Sequence, residues 1–113
     1  MKIDSYSFGH IKIDGKDYHN DVIITPNGVK PEWWRKSGHE VSVFDLAECL
    51  TPPPETLIIG TGASGMCEVL SEVLHYCQQN NIELISVPTP EAVVEYNSLE
   101  DKSKTVAAFH LTC

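Results

Sequence analysis

Positive charge is missing from the middle of this sequence. There is no Lys or Arg between Ser37 and Asp101, although that stretch contains eleven acidic residues, and the whole chain carries a net charge of −8. One-sided charge of this kind creates a field that repels polyanions. We therefore expect no nucleic-acid partner, and partners with basic or neutral surfaces are favoured.

Long apolar runs and export signals are also absent. The longest apolar runs, such as residues 106–109, are far too short to cross a bilayer, so we expect no membrane partner. Residues 1–6 carry no apolar segment of the secretory type, which makes the cytoplasm the expected location. At 113 residues, the chain has room for a single domain, 1–113, with one modest core.

The four cysteines lack the spacing of a metal or redox site. Cys49, Cys67, Cys77 and Cys113 form no C-x-x-C pair, which argues against a zinc ribbon or a redox dithiol. Cys67 and Cys77 fall within one predicted helix, about 15 Å apart along its axis, which is too far for a disulfide. We expect reduced thiols and no bound metal.

The most informative segment covers residues 57–79, with the sequence LIIGTGASGMCEVLSEVLHYCQQ. Its apolar start predicts a short buried strand. Gly60–Gly65, the glycine turn, matches the G-x-G-x-x-G spacing. Ser64 is the predicted N-cap of a helix, because apolar residues then recur at the three-four spacing of one helix face. The segment therefore predicts strand, glycine turn and helix in direct succession.

The rest of the chain supplies further strands and helices. Glu83–Val87 and residues 105–111 predict two more strands, and Thr89-Pro90-Glu91 predicts the start of a helix between them. Near the N-terminus, residues 6–14 and 18–25 predict two strands joined as a hairpin at Asp14-Gly15. A bulge is predicted within the first of these, at Gly9-His10.

These elements predict an α/β fold: a single compact three-layer domain with a central mixed sheet of about five strands. The β-α-β-α-β order from residue 57 onward implies right-handed crossovers and largely parallel strands. The N-terminal hairpin is expected to extend the same sheet. If the last strand runs parallel to the strand at 57–60, His110 lies at the same edge as the glycine turn, where open α/β sheets bind ligands.

The glycine turn is the first candidate site, because free amides at a helix N-terminus attract a small anion or a carboxylate. Dinucleotide binding also needs an acid at the end of the second strand, and that strand ends in Ser86-Val87-Pro88, so we expect no cofactor. The alternative interpretation is that the glycines only permit a tight turn and close packing. The ligand-binding candidates are Gly60, Thr61, Gly62, Ser64 and His110.

A Cys–His pair is the second candidate site. His110 and Cys113 lie at the end of the chain, and Cys67 falls in the first turn of the predicted helix, where a thiol pKa is lowered. Such a pair supplies a nucleophile and its base. No orienting acid or oxyanion donor can be identified, so we assign no catalytic residue. The alternative interpretation is a half-buried, hydrogen-bonded histidine with small apolar cysteines.

The adjacent tryptophans are the third candidate site. Trp33 and Trp34 lie in an irregular stretch and are followed by Arg35, and these residue types are frequent at interface hot spots. They form a candidate partner-binding patch, with the alternative that one or both cover the core. Asp21 precedes an apolar run, and we expect it at an edge or facing solvent, with a paired buried acid as the alternative.

The order of these pieces resembles a small conserved family that includes the adipogenesis-associated domain protein and a mitochondrial complex I assembly factor. The resemblance covers nearly the whole chain. It implies a three-layer α/β domain without established catalytic activity, and roles in assembly or regulation. No targeting segment precedes Met1, so the mitochondrial role itself is not expected here. The matching residues are Ser7-Phe8-Gly9, Ile11, Ile13, Tyr18, Asp21-Val22, Trp34, residues 58–62, Thr89, Ala92, Tyr96-Asn97 and residues 106–113.

The sequence therefore predicts a cytoplasmic single-domain protein that binds an unknown protein partner as an assembly or regulatory module. The expected working surface is the edge formed by the glycine turn and His110, flanked by the tryptophans. Two alternatives remain open: a small Cys–His enzyme, and a binder of small anions or nucleotides at the glycine turn.

Overall fold

The computed structural model describes the whole chain, Met1–Cys113. It contains ten strands and three α-helices, with a short 3₁₀ segment at Ala47–Cys49. The strands are β1 (Ile3–Ser7), β2 (His10–Ile13), β3 (Lys16–Tyr18), β4 (Val22–Thr25), β5 (Gly28–Lys30), β6 (Glu40–Val41), β7 (Thr56–Thr61), β8 (Glu68–Val69), β9 (Glu83–Val87) and β10 (Thr105–His110). The helices are α1 (Val43–Leu46), α2 (Ser71–Gln79) and α3 (Thr89–Ser98).

Five strands form a central mixed sheet in the order β5-β4-β10-β7-β9. β10 and β7 run parallel, as do β7 and β9, whereas β4 is antiparallel to β10 and β5 is antiparallel to β4. The predicted α/β fold, a compact domain around a mixed five-stranded sheet, is therefore confirmed. The parallel pairing of β10 with β7 also settles the strand direction on which the location of His110 depends.

Both faces of the central sheet are covered, which gives the domain three layers. Along β10, Val106 and Ala108 belong to one apolar cluster, whereas Ala107 and Phe109 belong to the other, as the two-residue period of a strand requires. The first cluster includes the buried residues of α2, and the second is closed by α3 and the N-terminal strands. All six residues of β10 are buried, which explains its almost uninterrupted apolar sequence.

The predicted N-terminal hairpin extends the central sheet only through the end of its second strand, because β4 pairs with β10. The rest of the hairpin forms a sheet of its own, which corrects that part of the prediction. β1, β2 and β3 pair as a three-stranded antiparallel sheet. The predicted bulge at Gly9 is instead a hairpin turn, in which Gly9 has a φ of +76°. The second hairpin turn is the predicted one, with positive φ at Asp14 and Gly15. The predicted strand 18–25 divides in two, because the chain crosses there to the central sheet.

The glycine turn does not lead into a helix, and this corrects a second prediction. After β7 the chain forms an irregular connection and the two-residue β8, which pairs in parallel with β6. The amides of Glu68 and Leu70 donate to the carbonyls of His39 and Val41, so these residues bond across the fold rather than within a helix. α2 begins only at Ser71, with Leu70 as its N-cap, and Ser64 caps no helix. None of the helices combines the length and apolar character needed to cross a membrane.

Candidate functional site

The ends of β7 and β10 meet at one edge of the central sheet. In the parallel register of these strands, His110 lies opposite Thr61, the second residue of the glycine turn. His110 and the glycine turn therefore share one edge, as the sequence predicts from a parallel last strand. This is the edge at which ligands bind in open α/β sheets.

The amides of the glycine turn donate to the chain itself. The Ala63 amide donates to the Thr112 carbonyl at 2.8 Å, and the Met66 amide donates to the Cys113 carbonyl at 3.0 Å. Gly62 lies so close to the last residues that a Cβ built on it would be 2.3 Å from the carbonyl carbon of Cys113. These glycines permit the close approach of two backbone segments. Anion binding at this turn stays a prediction, with fewer free amides than the motif implies.

Thr89 connects the glycine turn to β10. It is the first residue of α3 and is fully buried. Its hydroxyl donates to the His110 carbonyl at 2.6 Å and accepts from the Gly62 amide at 2.9 Å. Pro88 is the N-cap of α3, and the Thr89 hydroxyl instead joins α3 to the glycine turn and to β10.

The His110 side chain takes part in a cluster that the sequence analysis did not assemble. Its Nδ1 lies 2.7 Å from Oδ2 of Asp21, and Nη1 of Arg35 donates to the same oxygen at 2.7 Å. The other carboxylate oxygen, Oδ1, accepts from the Leu111 amide at 2.8 Å. Arg35 also donates from Nη2 to the Gly38 carbonyl at 3.1 Å. We call Asp21, Arg35 and His110 the Asp21 cluster.

Asp21 is the anionic centre of this cluster. Burial alone raises the pKa of its carboxyl, but the hydrogen bonds from His110, Arg35 and the Leu111 amide outweigh burial and hold the pKa below its usual range. The ionised carboxylate also raises the pKa of Tyr6, although burial is the larger cause there. The Tyr6 hydroxyl donates to the Leu111 carbonyl at 2.7 Å. Asp21 is thus the paired acid that the sequence analysis held as an alternative.

A groove of about 600 Å³ opens over the Asp21 cluster. Its nine lining residues include two acids and no Lys or Arg. They are His19, Asn20, Asp21, Glu32, Trp33, Trp34, His110, Leu111 and Thr112. We call this feature the His110 groove.

The two tryptophans have opposite environments. Trp33 is buried, its indole Nε1 donates to the Asp45 carbonyl at 3.0 Å, and the Arg35 guanidinium carbon lies 4.7 Å from the centre of its ring. Trp34 is 73% exposed. Neighbouring side chains point to opposite sides of an extended chain, so anchoring one ring inward turns the other outward. The predicted two-tryptophan patch is therefore reduced to Trp34.

The cysteines do not form the predicted reactive arrangement around His110. Cys67 is buried in the apolar cluster on the α2 side of the sheet and lies outside any helix. Burial raises the pKa of its thiol, the opposite of the lowering expected at a helix N-terminus. Cys113 is exposed, and its carbonyl is held by the Met66 amide.

Glu32 escaped the sequence analysis, and Arg35 was predicted only as a neighbour of the tryptophans, not as a partner of Asp21. Arg35 is the only arginine of the chain, and Glu32 is one of many acids. The sequence contained one indication for Arg35: Asp21 lies beside a buried strand, and such an acid needs a cationic or hydrogen-bonding partner. Nothing in the sequence distinguishes Glu32, because its position in the groove depends on how the irregular segment packs.

Residues 3–111 match a family model described as "Protein of unknown function (DUF498/DUF598)". The chain belongs to this family. The match spans almost the whole domain and identifies a small conserved family whose function is not established.

Solved structures support the same assignment. The conserved hypothetical protein PH1505 from Pyrococcus horikoshii OT3 is 31% identical, with 100% of each chain covered and a TM-score of 0.84. A protein with the name MT938 is 26% identical over 99% of this chain and 98% of the other, with a TM-score of 0.78. A protein from Bartonella henselae, described as an outer membrane protein, is 23% identical over 98% of this chain and 94% of the other, with a TM-score of 0.80, and shares the fold.

Proposed function

We propose that this protein is a cytoplasmic protein-binding module of the assembly or regulatory type, with no established catalytic activity. The observation that carries the proposal is Trp34, a large aromatic side chain left 73% exposed next to the His110 groove. The resemblance to the adipogenesis-associated domain protein and the complex I assembly factor supports the same class of role.

The surroundings of Trp34 support a role in binding. Phe44 is 65% exposed and lines a second groove together with Trp34, with a volume of about 290 Å³. Below them, Trp33 is buried and fixed by its hydrogen bond to Asp45. Exposed aromatic residues on a rigid base lose little conformational entropy on binding, which is why Trp is frequent among interface hot spots.

An enzymatic role has less support. Asp21 orients His110 through Nδ1, as a carboxylate does for a histidine that acts as a general base, but the groove lining contains no cysteine or serine. Cys67 is buried with a raised pKa. A histidine oriented by a carboxylate serves equally well as a hydrogen-bond acceptor for a bound partner.

Affinity capture with matched variants tests the proposal. We expect the immobilised wild-type protein and a Val94→Ala variant to recover the same partner from native lysate. Val94 is an exposed residue of α3, whose buried side chains pack on the other face of the central sheet. Trp34→Ala should weaken recovery by about 30-fold, the loss typical of a hot spot. Equal recovery by all three proteins, or repeated recovery of no partner, would contradict the proposal.

A further inference from the structure

The His110 groove presents acceptors of hydrogen bonds and centres of negative charge. Of its two carboxylates, Asp21 forms an ion pair with Arg35, whose side chain is only 5% exposed, and its charge is neutralised by that pair. Glu32 is exposed and makes no hydrogen bond or ion pair within the protein. With no Lys or Arg in the lining, the charge of Glu32 remains available to a ligand.

His110 supplies a second free acceptor. Nδ1 of the imidazole and Oδ2 of Asp21 are 2.7 Å apart, and two unprotonated acceptors would repel each other at that distance. Nη2 of Arg35 also lies 3.1 Å from Nδ1, but it donates to the Gly38 carbonyl. We therefore place a proton on Nδ1, so that the lone pair of the ring in its neutral form is on Nε2. Nε2 of His110 has no hydrogen-bond partner within the protein. It is also not fully buried, because the only fully buried side-chain nitrogen or oxygen without a partner is Nε of Arg35. Since His110 lines the groove, Nε2 is accessible from there.

Trp34 completes the lining with an exposed aromatic face. Such a face attracts cations through the quadrupole of the indole ring. The same interaction occurs at the adjacent tryptophan, where the Arg35 guanidinium carbon lies 4.7 Å from the centre of the Trp33 ring. A carboxylate, an imidazole lone pair and an indole face all favour a cation and disfavour an anion.

We propose that the His110 groove binds the guanidinium group of an arginine side chain on the protein partner. The proposal rests on the proposed function and names the chemistry that the partner presents. A planar guanidinium has five donors, so it can bond to Glu32 and to His110 Nε2 while stacking on Trp34. An ammonium group is a compact point charge that cannot stack in this way, which makes arginine the better match.

Acetyl-arginine amide is the probe for this proposal, and acetyl-citrulline amide is its control. Citrulline keeps the size and planarity of the side chain but replaces the guanidinium by a neutral urea. In a titration followed by NMR, we expect the indole signal of Trp34 and the ring signals of His110 to shift with the arginine probe. Binding of the citrulline probe should be about tenfold weaker. Equal binding of both probes, or no shift with either, would overturn the proposal.

Charge-neutralising variants locate the binding to the groove. Glu32→Gln should weaken binding of the arginine probe about threefold, while Glu95→Gln, on the exposed side of α3, should leave it unchanged. If both variants bind alike, Glu32 does not hold the cation and the proposal fails.

The same variants separate this proposal from the proposed function. A partner that Glu32→Gln captures as well as wild type does, but Trp34→Ala does not, would support the binding module and overturn the arginine assignment. Selective binding of the arginine probe without capture of any partner would leave the groove chemistry standing and contradict the protein-binding role.

Discussion

The glycine turn and the His110 groove both lie at the end of β10. They differ in whether their polar groups are hydrogen-bonded within the protein. In the glycine turn, the amides of Gly62 and Ala63 donate to oxygens of the same chain, as does the next amide, that of Met66. In the groove, Glu32 and Nε2 of His110 have no partner within the protein. A group that is bonded internally adds to stability, whereas one left free at an edge is available for recognition.

This difference shows why a glycine motif is a poor guide to function by itself. Glycine permits the close approach of any group, and here the approaching group is the backbone of Thr112 and Cys113. The groove is built from residues of three separate segments, near positions 20, 33 and 110. The comparison can be tested by changing one region at a time, beginning with the buried ion pair beneath the groove.

Asp21→Asn should produce the largest loss of stability. It removes the charge that neutralises buried Arg35, which should cost about 3–5 kcal/mol in the free energy of unfolding measured with urea. The control is Asp17→Asn, which removes an exposed partner of His10 and should cost much less stability, because solvent screens that pair. Similar losses in both variants would mean that the Asp21 cluster is not a structural base for the groove.

Gly62→Ala should produce the next largest effect. Gly62 has a φ of +106°, and a Cβ there would meet the Cys113 backbone, so we expect a loss of about 3 kcal/mol. Gly15→Ala is the matched control, since Gly15 has a φ of +82° and nothing within 4 Å of its Cβ position. Its loss should be about 1 kcal/mol, from backbone strain alone. Equal losses would show that the end of the chain does not pack against the glycine turn.

The contribution of Asp21 to the free energy of unfolding should depend on pH, and the direction of this dependence is defined. The folded pKa of Asp21 is lowered, so its contribution is complete above the unfolded pKa of about 3.9 and is lost as pH falls through the folded value. The unfolding free energies of wild type and Asp21→Asn should therefore converge in acid. Urea titrations at a series of pH values measure this, and a constant gap in acid would contradict the assigned interactions.

The secondary structure could be predicted from the sequence where it depends on neighbouring residues alone. β9 is found at the predicted residues, and β10 differs from its prediction by one residue, because each is a short apolar run between polar turns. α2 was predicted too early, since the amides of Glu68 and Leu70 bond to His39 and Val41, which are distant in the chain. Helical spacing of apolar residues cannot reveal such tertiary bonds.

The candidate site was accessible only in part. The position of His110 follows from strand direction, a property of the topology. Its pairing with Asp21 joins residues 89 positions apart, and no local pattern encodes that contact. The opposite exposure of Trp33 and Trp34 depends on which ring the core has room for. The partners of side chains in an irregular segment depend on tertiary packing, and the sequence contains no local pattern from which that packing could be predicted.

Thiol reactivity provides a kinetic contrast between the two regions. Cys67 is buried and its thiol pKa is raised by burial, whereas Cys113 is exposed. Alkylation in the native state, followed by mass spectrometry, should modify Cys113 at least about tenfold faster than Cys67. The rates should become similar in denaturant. Faster reaction of Cys67 in the native protein would revive the Cys–His hypothesis.

The smallest effect on stability is expected at Trp34, and it separates binding from folding most clearly. Trp34→Ala removes an exposed ring and should change the free energy of unfolding by no more than about 0.5 kcal/mol. Trp33→Ala, one position earlier, removes a buried ring and should cost about 3–5 kcal/mol. Urea unfolding of both variants measures the difference. A large loss at Trp34 would mean that its ring supports the fold, and weaker capture of a partner by that variant would then report unfolding instead of a lost contact.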